Sequence, residues 1–547
     1  MQQIYKGKGS KLELKNSKFI HLKDWLPRTC DALIVDKMKP DILAASSIFQ
    51  IGGQAGHRTQ EHLFTVRSVI ALMLLQGLAI LVQVFDIERF FDKESIRDVM
   101  NTLHRAGINR KACRTWYLLN QKTRIKINTS VGMTEEHDVG EVVGQGTIGG
   151  ALVSQLNVDM GLDEYFKGSK DEATYGSIRL QPMAFQDDIM RIAKDVKSAS
   201  VGNIKLSCLM EDKQLKCHPD KTGFVVMGSS KNREEIREQV KETPIMFGSF
   251  ITKEKKVDKY LGDMFSHEGL GESIMETIKD RTGRVKTAIM EVKGIMEDYR
   301  MQAMGGMMGA LDLWNMAIIP SLLANCGTWT ELPKKAIEAC DELQNLFIRI
   351  MLEVPVSTPK VALRVETGLL AMKQTIWVEK LNLAQFIKQS GNKTLAGRVY
   401  QEQLQQGWPG LAKEVVEICQ SIQINNINEN NVNKMEIKEA INAHHAAEAK
   451  EQMGKKLIAI KDEEIGDAKE YMKTKCISDS RLQFRIKTNM LELKGNMKGS
   501  YRDMDYSCSC LGCANKATVE DQSHGLRCPA YADIRKDLDF KFSRIYL

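Results

Sequence analysis

Apolar residues run almost without a break from Leu78 to Phe85 and stop at Asp86, in the order LAILVQVFD. Such an apolar run reads as a strand, and its closing carboxylate falls at the strand's end, where a site can be built. The longer apolar stretch from Ala71 to Phe85 is interrupted by Gln76 and Gln83. It is shorter than the roughly 20 residues a membrane span needs, so it predicts a buried helix end running into a core strand, with no membrane insertion. From Lys93 the period changes. Ile96, Val99, Met100 and Leu103 share one helix face, with Gly107 as the stop. Met183 to Met190 forms a second strand-like cluster, followed by a helical-looking Arg191 to Asn203 and a third apolar run, Gly223 to Gly228. Beyond Gly271 the spacing of Ile274, Ile278, Val285, Ile289, Val292 and Met296 is helical, and Met-rich helical segments continue to about Gln389. Ser421 to Lys434 is Asn-rich and poor in core residues, which predicts a linker. Met435 to Lys475 reads as one or two charged surface helices with His444 and His445 in solvent, and no solenoid repeat is present.

At 547 residues the chain has room for about two to four domains. Its formal charge of +7, from 77 Lys and Arg against 70 Asp and Glu, is compatible with a polyanionic partner without identifying one. No secretory leader is expected, because Met1 to Ser10 leads into a charged, mixed stretch. Of the 12 cysteines, Cys30, Cys113, Cys208, Cys217, Cys326, Cys340, Cys419 and Cys476 are scattered singly, whereas Cys508, Cys510, Cys513 and Cys528 cluster. That pattern predicts a reducing compartment and a zinc site in place of a disulfide scaffold.

Chemistry enters with the acids. Transfer of a nucleotide to a 3′-hydroxyl needs two divalent cations about 3.5 to 4 Å apart, held by carboxylates from separate strands. Asp86 closes one strand. Asp187 and Asp188 lie in Ala184-Phe185-Gln186-Asp187-Asp188-Ile189-Met190, whose apolar flanks predict a tight hairpin with an acidic tip. An Asp-Asp pair alone is also common in solvated turns, so its neighbours decide.

Six blocks along Ile4 to Gly262 resemble, in order, those of the reverse-transcriptase family, and most of all those of LINE-type (non-LTR) retrotransposons. Ile4 to Gly9 with Asn16 to Leu22 resembles the fingers, and Lys18 would there meet the incoming triphosphate. Phe85 to Asp92 resembles the first catalytic block, which makes Asp86 a metal ligand and Phe91 the ring that excludes a 2′-hydroxyl. Gly144-Gln145-Gly146-Thr147 with Leu156-Asn157 resembles the block under template and nucleotide, with Gln145 and Gly146 close to the substrate. Phe185 to Asp188 resembles the second catalytic block. His218 to Thr222 resembles the next, in which Lys221 would protonate departing pyrophosphate. Lys259-Tyr260-Leu261-Gly262 resembles the primer grip leading into the thumb. Three departures stand out: Lys18 in place of an arginine, which loses a planar bidentate phosphate contact; Gln186 in place of a small residue; and Gly53 and Gln54 in place of a phenylalanine and an arginine, with Gly56 and Arg58 retained.

Near the C-terminus Cys510, Cys513, His524 and Cys528 give Cys-x2-Cys-x10-His-x3-Cys, a ligand set for tetrahedral structural zinc, with Cys508 an alternative to Cys510. With Phe484 to Met490 before it and Pro529-Ala530-Tyr531 after, it resembles the terminal zinc knuckle of LINE-type proteins. Arg481, Arg485, Lys487, Lys494 and Lys498 add positive charge nearby.

The resemblance implies an α+β right-hand polymerase with an antiparallel palm sheet: fingers and palm over residues 1–265, a helical thumb over 266–400, a helical connection over 401–480 with the linker at 421–434, and a basic segment with a zinc knuckle over 481–547. It implies an RNA-directed DNA polymerase using two Mg2+ on Asp86, Asp187 and Asp188. Its partners would be template RNA, primer DNA and deoxynucleoside triphosphates, in the nucleus and cytoplasm. The competing readings are a decayed or domesticated nucleic-acid-binding relative and an RNA-templated RNA polymerase. Such elements also carry an endonuclease, so a chain running from fingers to zinc cluster is expected to be truncated.

Overall fold

The computed structural model describes residues 2–488 apart from 6–9, 11–12, 14–16, 21, 23, 122, 130–131, 145–146, 430–431, 454–464 and 475, and beyond them Ala532 alone. Helices and strands are mixed, as expected.

The centre is a five-stranded sheet. Its middle strand, β3 (Ile80–Asp86), is the apolar run, following β1 (Gln2–Tyr5) and β2 (Ser17–Ile20), which pair antiparallel in a separate small sheet. Flanking β3 are β4 (Met183–Phe185), β5 (Asp188–Ala193), β6 (Gly223–Met227) and the two-residue β7 (Lys253–Glu254), in the spatial order β4-β5-β3-β6-β7. All pairings are antiparallel except β6 with β7. The unbroken apolar character of β3 reflects burial of both faces, since successive side chains point to opposite sides. Ile80, Val82 and Val84 enter one core with Met190, Ile192, Val225 and Met227, while Leu81 and Phe85 enter two others on the opposite face.

The first face is covered by α2 (Thr59–Leu75), after α1 (Trp25–Ala45), through Leu63, Phe64, Val66, Val69 and Ile70. Around β3 and the acids come α3 (Ile96–Arg105), α4 (Arg110–Asn120), α5 (Gly150–Phe166) and α6 (Val196–Asp212). Helices α5 and α6 cover the second face with Val158, Leu162, Leu206 and Leu209. A further core joins α1, α3, α4 and α5 around Met38, Val99, Trp116 and Leu156.

Past Ser266 the described chain is helical: α7 (Leu270–Glu297), α8 (Lys334–Leu352), α9 (Met372–Ser390), α10 (Leu395–Gln406), α11 (Leu411–Ser421), α12 (Lys434–Gln452) and α13 (Ile477–Lys487), with shorter helices between. Helices α7 and α8 build their own core, where Trp314 stacks on Phe347 at 4.6 Å. Residues of α9 to α12, such as Leu381, Tyr400, Val415 and Ile437, instead share the core of the sheet and α2. No described helix is long and apolar enough to cross a membrane.

Three local expectations change. The strand β5 continues to Ala193, so Arg191 to Ala193 are not helical, and α6 starts at Val196. Arg191 is buried there by a bidentate pair with Glu172 at 2.9 and 3.1 Å, so a charged side chain interrupts no pattern it belongs to. The Asn-rich segment 421–434 is packed: Ile422, Ile427 and Val432 are buried, Asn428 donates to Ala412 O and accepts from the Tyr400 hydroxyl, and Gln385 donates to Val432 O. His445 is buried rather than solvated, and loss of water pushes its pKa down to about 4.

Candidate active site

The register of two strands brings the acids together. Asp188, the first residue of β5, is paired directly with Asp86, the last of β3. Directly opposed residues share a face, with Cβ atoms about 4.5–5.5 Å apart. Phe185 pairs with Asp188, so only Gln186 and Asp187 form the loop between β4 and β5. The expected hairpin with an acidic tip is therefore present. The first loop residue, Gln186, takes the left-handed conformation at φ 61. That is the position where glycine is favoured in two-residue hairpins.

Beyond Asp86 the chain keeps pairing. Ile87 bridges Cys217, the Glu88 amide donates to Lys216 O at 2.8 Å, and the His218 amide donates to Asp86 O at 2.8 Å. A turn follows in which the amides of Lys221 and Thr222 both donate to His218 O, at 3.2 and 2.9 Å. This turn brings Lys221 Nζ to 2.7 Å from Asp86 Oδ2 and 3.2 Å from Oδ1. The pair is open to water, with Lys221 61% and Asp86 28% exposed, so its Coulomb energy is small and it can exchange for another partner. Among the described residues, no group of three or more His, Cys, Asp and Glu side chains is arranged to hold a metal ion as it stands.

Phe91 is half-buried, its ring 5.1 Å from that of Phe90, and its carbonyl accepts from the amide of Gly144 at 3.1 Å. Gly144 has φ 73, so the turn there suits glycine. The Gly144 block is thus tied to the Phe91 block. Asn157, grouped with it by sequence, is fully buried: it donates to Glu94 and Asp98 and accepts from Thr102 and Lys213. It ties α5 to Glu94, to α3 and to Lys213 after α6. Burial pushes the Glu94 carboxyl up to about 7, partly opposed by hydrogen bonds from Ser154 and Asn157.

Tyr260 to Asp263 forms a second two-residue hairpin, with Leu261 at φ 46 and Gly262 at φ 88. Its carbonyls are held by Asn325, donating to Leu261 O, and Arg281, donating to Gly262 O. Asp263 is fully buried between Arg67 at 2.9 Å and Arg281 at 2.8 Å, with Trp329 Nε1 donating as well. This cluster fastens the hairpin to α2 and α7. The Tyr260 hydroxyl is buried 3.3 Å from His62 Nδ1, and burial raises the tyrosine pKa while lowering that of His62 to about 3.

Of the other residues singled out by sequence, Lys18 has its backbone on β2 opposite Ile4, and its side chain is outside the described residues. Gln145, Gly146, Lys494, Lys498, Cys508 and the zinc set Cys510, Cys513, His524 and Cys528 also lie outside them. Arg58 lies 4.2 Å over the Phe386 ring of α9, which makes it a packing residue here. The eight described cysteines are all free thiols. Sequence reasoning missed Gln50, Gly52 and Glu94, although the Gly52-Gly53 pair was a visible signal of a close backbone approach.

No protein-family model matches the chain, and no curated protein matches it significantly. Several solved structures match. Apo telomerase of Candida tropicalis, truncated from its C-terminal domain, aligns at 9% identity and a TM-score of 0.31, over 43% of this chain and 43% of that one. Telomerase of Candida albicans in complex with a TWJ fragment of telomeric RNA aligns at 10% identity and 0.34, over 74% of this chain and 57% of that one. Apo telomerase of Candida tropicalis aligns at 9% and 0.32, over 76% and 59%. The chain thus spans 43% to 59% of the length of these telomerases. Likeness at this level says nothing about chemistry.

Proposed function

We propose that the chain is an RNA-directed DNA polymerase of the reverse-transcriptase kind, of LINE-type origin, whose palm is the sheet around β3 and whose thumb starts at α7. The observation that carries this reading is the register that sets Asp188 opposite Asp86, with Asp187 next to it in the hairpin loop. The donor set suits magnesium, which prefers carboxylate oxygens, and the Lys221 ammonium on Asp86 stands where positive charge is favoured. Asp86, Asp187 and Asp188 would hold two magnesium ions. When bound, these would lower the pKa of the primer 3′-hydroxyl and neutralise triphosphate charge.

The protein's own groups do the rest. Lys221, released from Asp86, is a proton source at Nζ for departing pyrophosphate. Phe91, braced by Phe90 and by its carbonyl bond to Gly144, limits the room beside the sugar. Lys18, Gln145 and Gly146 would complete the nucleotide site, with template RNA and primer DNA as partners. Cys510, Cys513, His524 and Cys528 would hold a structural zinc in a small nucleic-acid-contacting module. Fewer than about 40 residues need a metal or a disulfide to fold alone.

The deciding experiment is primer extension by the purified chain on an RNA template with deoxynucleotides and magnesium. Extension lost on chelation is expected. Absence of extension with RNA binding retained would replace the polymerase with a non-catalytic nucleic-acid-binding relative, and extension with ribonucleotides alone would make it an RNA polymerase.

A further inference from the structure

The loop that carries Asp187 contains a residue in an unfavourable conformation, and something must hold it. A non-glycine residue in the left-handed region costs on the order of 1–3 kcal/mol and persists only where its surroundings enforce it. Gln186 is such a residue, at φ 61. Its backbone is held by a side chain 136 positions earlier. Gln50 is fully buried, its Oε1 accepts from the Gln186 amide at 3.0 Å, and its Nε2 donates to the Gln186 carbonyl at 3.3 Å. One primary amide thus takes both peptide groups of Gln186, as a neighbouring strand would.

The Gln50 side chain is itself fixed. Oε1 also accepts from the Gly52 amide at 3.0 Å, and Gln54 Nε2 donates to the Gln50 carbonyl at 2.7 Å. The surrounding backbone docks on β4, with Ala184 N donating to Phe49 O at 2.9 Å and Ile51 N donating to Ala184 O at 3.3 Å. Gly52 is pressed against the loop: a Cβ there would stand 2.3 Å from Gln186 N and 2.7 Å from the Phe185 carbonyl carbon. Both are backbone atoms of the acid-bearing hairpin, so any side chain at position 52 must displace it.

We propose that Gln50, seated by Gly52, is a positioning residue: its carboxamide holds Gln186 in the left-handed conformation that sets Asp187 and Asp188 against Asp86. The Gln50 carboxamide bonds to the backbone of Gln186 and of Gly52, so it acts on the acids through the hairpin. The catalytic consequence rests on the polymerase reading, whereas the clamp itself does not.

The experiment uses the full chain with Gln50→Met, which keeps length and apolar volume but removes the amide, and Gln50→Glu, which keeps an acceptor and loses the donor. Each is combined with Gln186→Gly, since glycine adopts positive φ without steric cost. Hydrogen exchange of a peptide spanning 183–190 is read first. Faster exchange in Gln50→Met, with the peptides of α7 and α8 unchanged, is expected, and unchanged exchange across 183–190 overturns the clamp whatever the enzyme's activity. Primer extension is read second. A misplaced catalytic group costs on the order of 100-fold, so kcat should fall by about that factor while KM for deoxynucleotide stays within about twofold. Gln186→Gly should recover most of the loss. Wild-type kcat in Gln50→Met, or no recovery with Gln186→Gly, overturns the positioning role. A wild-type chain without extension removes the polymerase reading, and exchange then decides the clamp by itself.

Discussion

Glu94 offers a test whose sign is set by burial, the largest influence on its carboxyl. It stands between Phe91 and α3, almost without exposure, and its carboxylate faces Asn157 and Ser154 of α5, Asp98 of α3 and Lys213 after α6. Desolvation is the largest influence and raises the pKa from 4.5 to about 7. A group whose folded pKa lies above its unfolded value contributes stability below the unfolded pKa and loses it as pH rises through the folded one. The native state should therefore weaken from about pH 4.5 to about pH 7. At 1.36 kcal/mol for each pKa unit, the full loss is about 3 kcal/mol, of which about 2 to 3 kcal/mol falls between pH 5 and pH 8. Glu94→Gln is neutral and of the same shape, and its Oε1 can still accept from Asn157, so it should lack this dependence. Thermal melts of both proteins from pH 5 to pH 8 should diverge with rising pH. The variant should become more stable by about 6–12 °C at the alkaline end for a cooperative unit of about 250 residues. Parallel curves over that range would refute an uncharged, buried Glu94.

The other predictions test the site and its support. Asp187→Asn should lower extension by about 100- to 1000-fold, the scale lost with a group that stabilises charge in the transition state, while RNA binding persists; near-wild-type turnover would remove Asp187 from the site. Phe91→Ala should admit ribonucleotides in competition assays, and unaltered discrimination would leave Phe91 as a packing residue only. Glu172→Gln leaves the buried charge of Arg191, on β5 opposite Gln83, without its bidentate partner. It should destabilise the sheet by about 3–5 kcal/mol in denaturant melts, and a loss below about 1 kcal/mol would mean that Gln83 and water suffice.

What the sequence determined by itself was local. The run ending in Asp86, the Asp187-Asp188 tip and the change to helical spacing after Gly271 were all legible, because strand and helix periods are written within about ten residues of each other. A tight hairpin followed from the apolar flanks, whereas its loop at Gln186 and Asp187, with Asp188 already in β5, came only from the pairing of Phe185 with Asp188. What only the tertiary structure decided involves partners far apart along the chain. No local pattern says that Asp188 pairs with Asp86 about a hundred positions earlier, because register is settled by which faces the whole sheet buries. Arg191 read as helical and Asn428 as linker because polarity counts as exposure in a periodic pattern. Glu172, and the Tyr400 hydroxyl with Ala412 O, supply the hydrogen bonds that let them be buried. Gln50 looked like one polar residue in a divergent block until folding brought the Gln186 backbone to it, since a buried amide takes its role from the groups it satisfies and those lie elsewhere in the sequence.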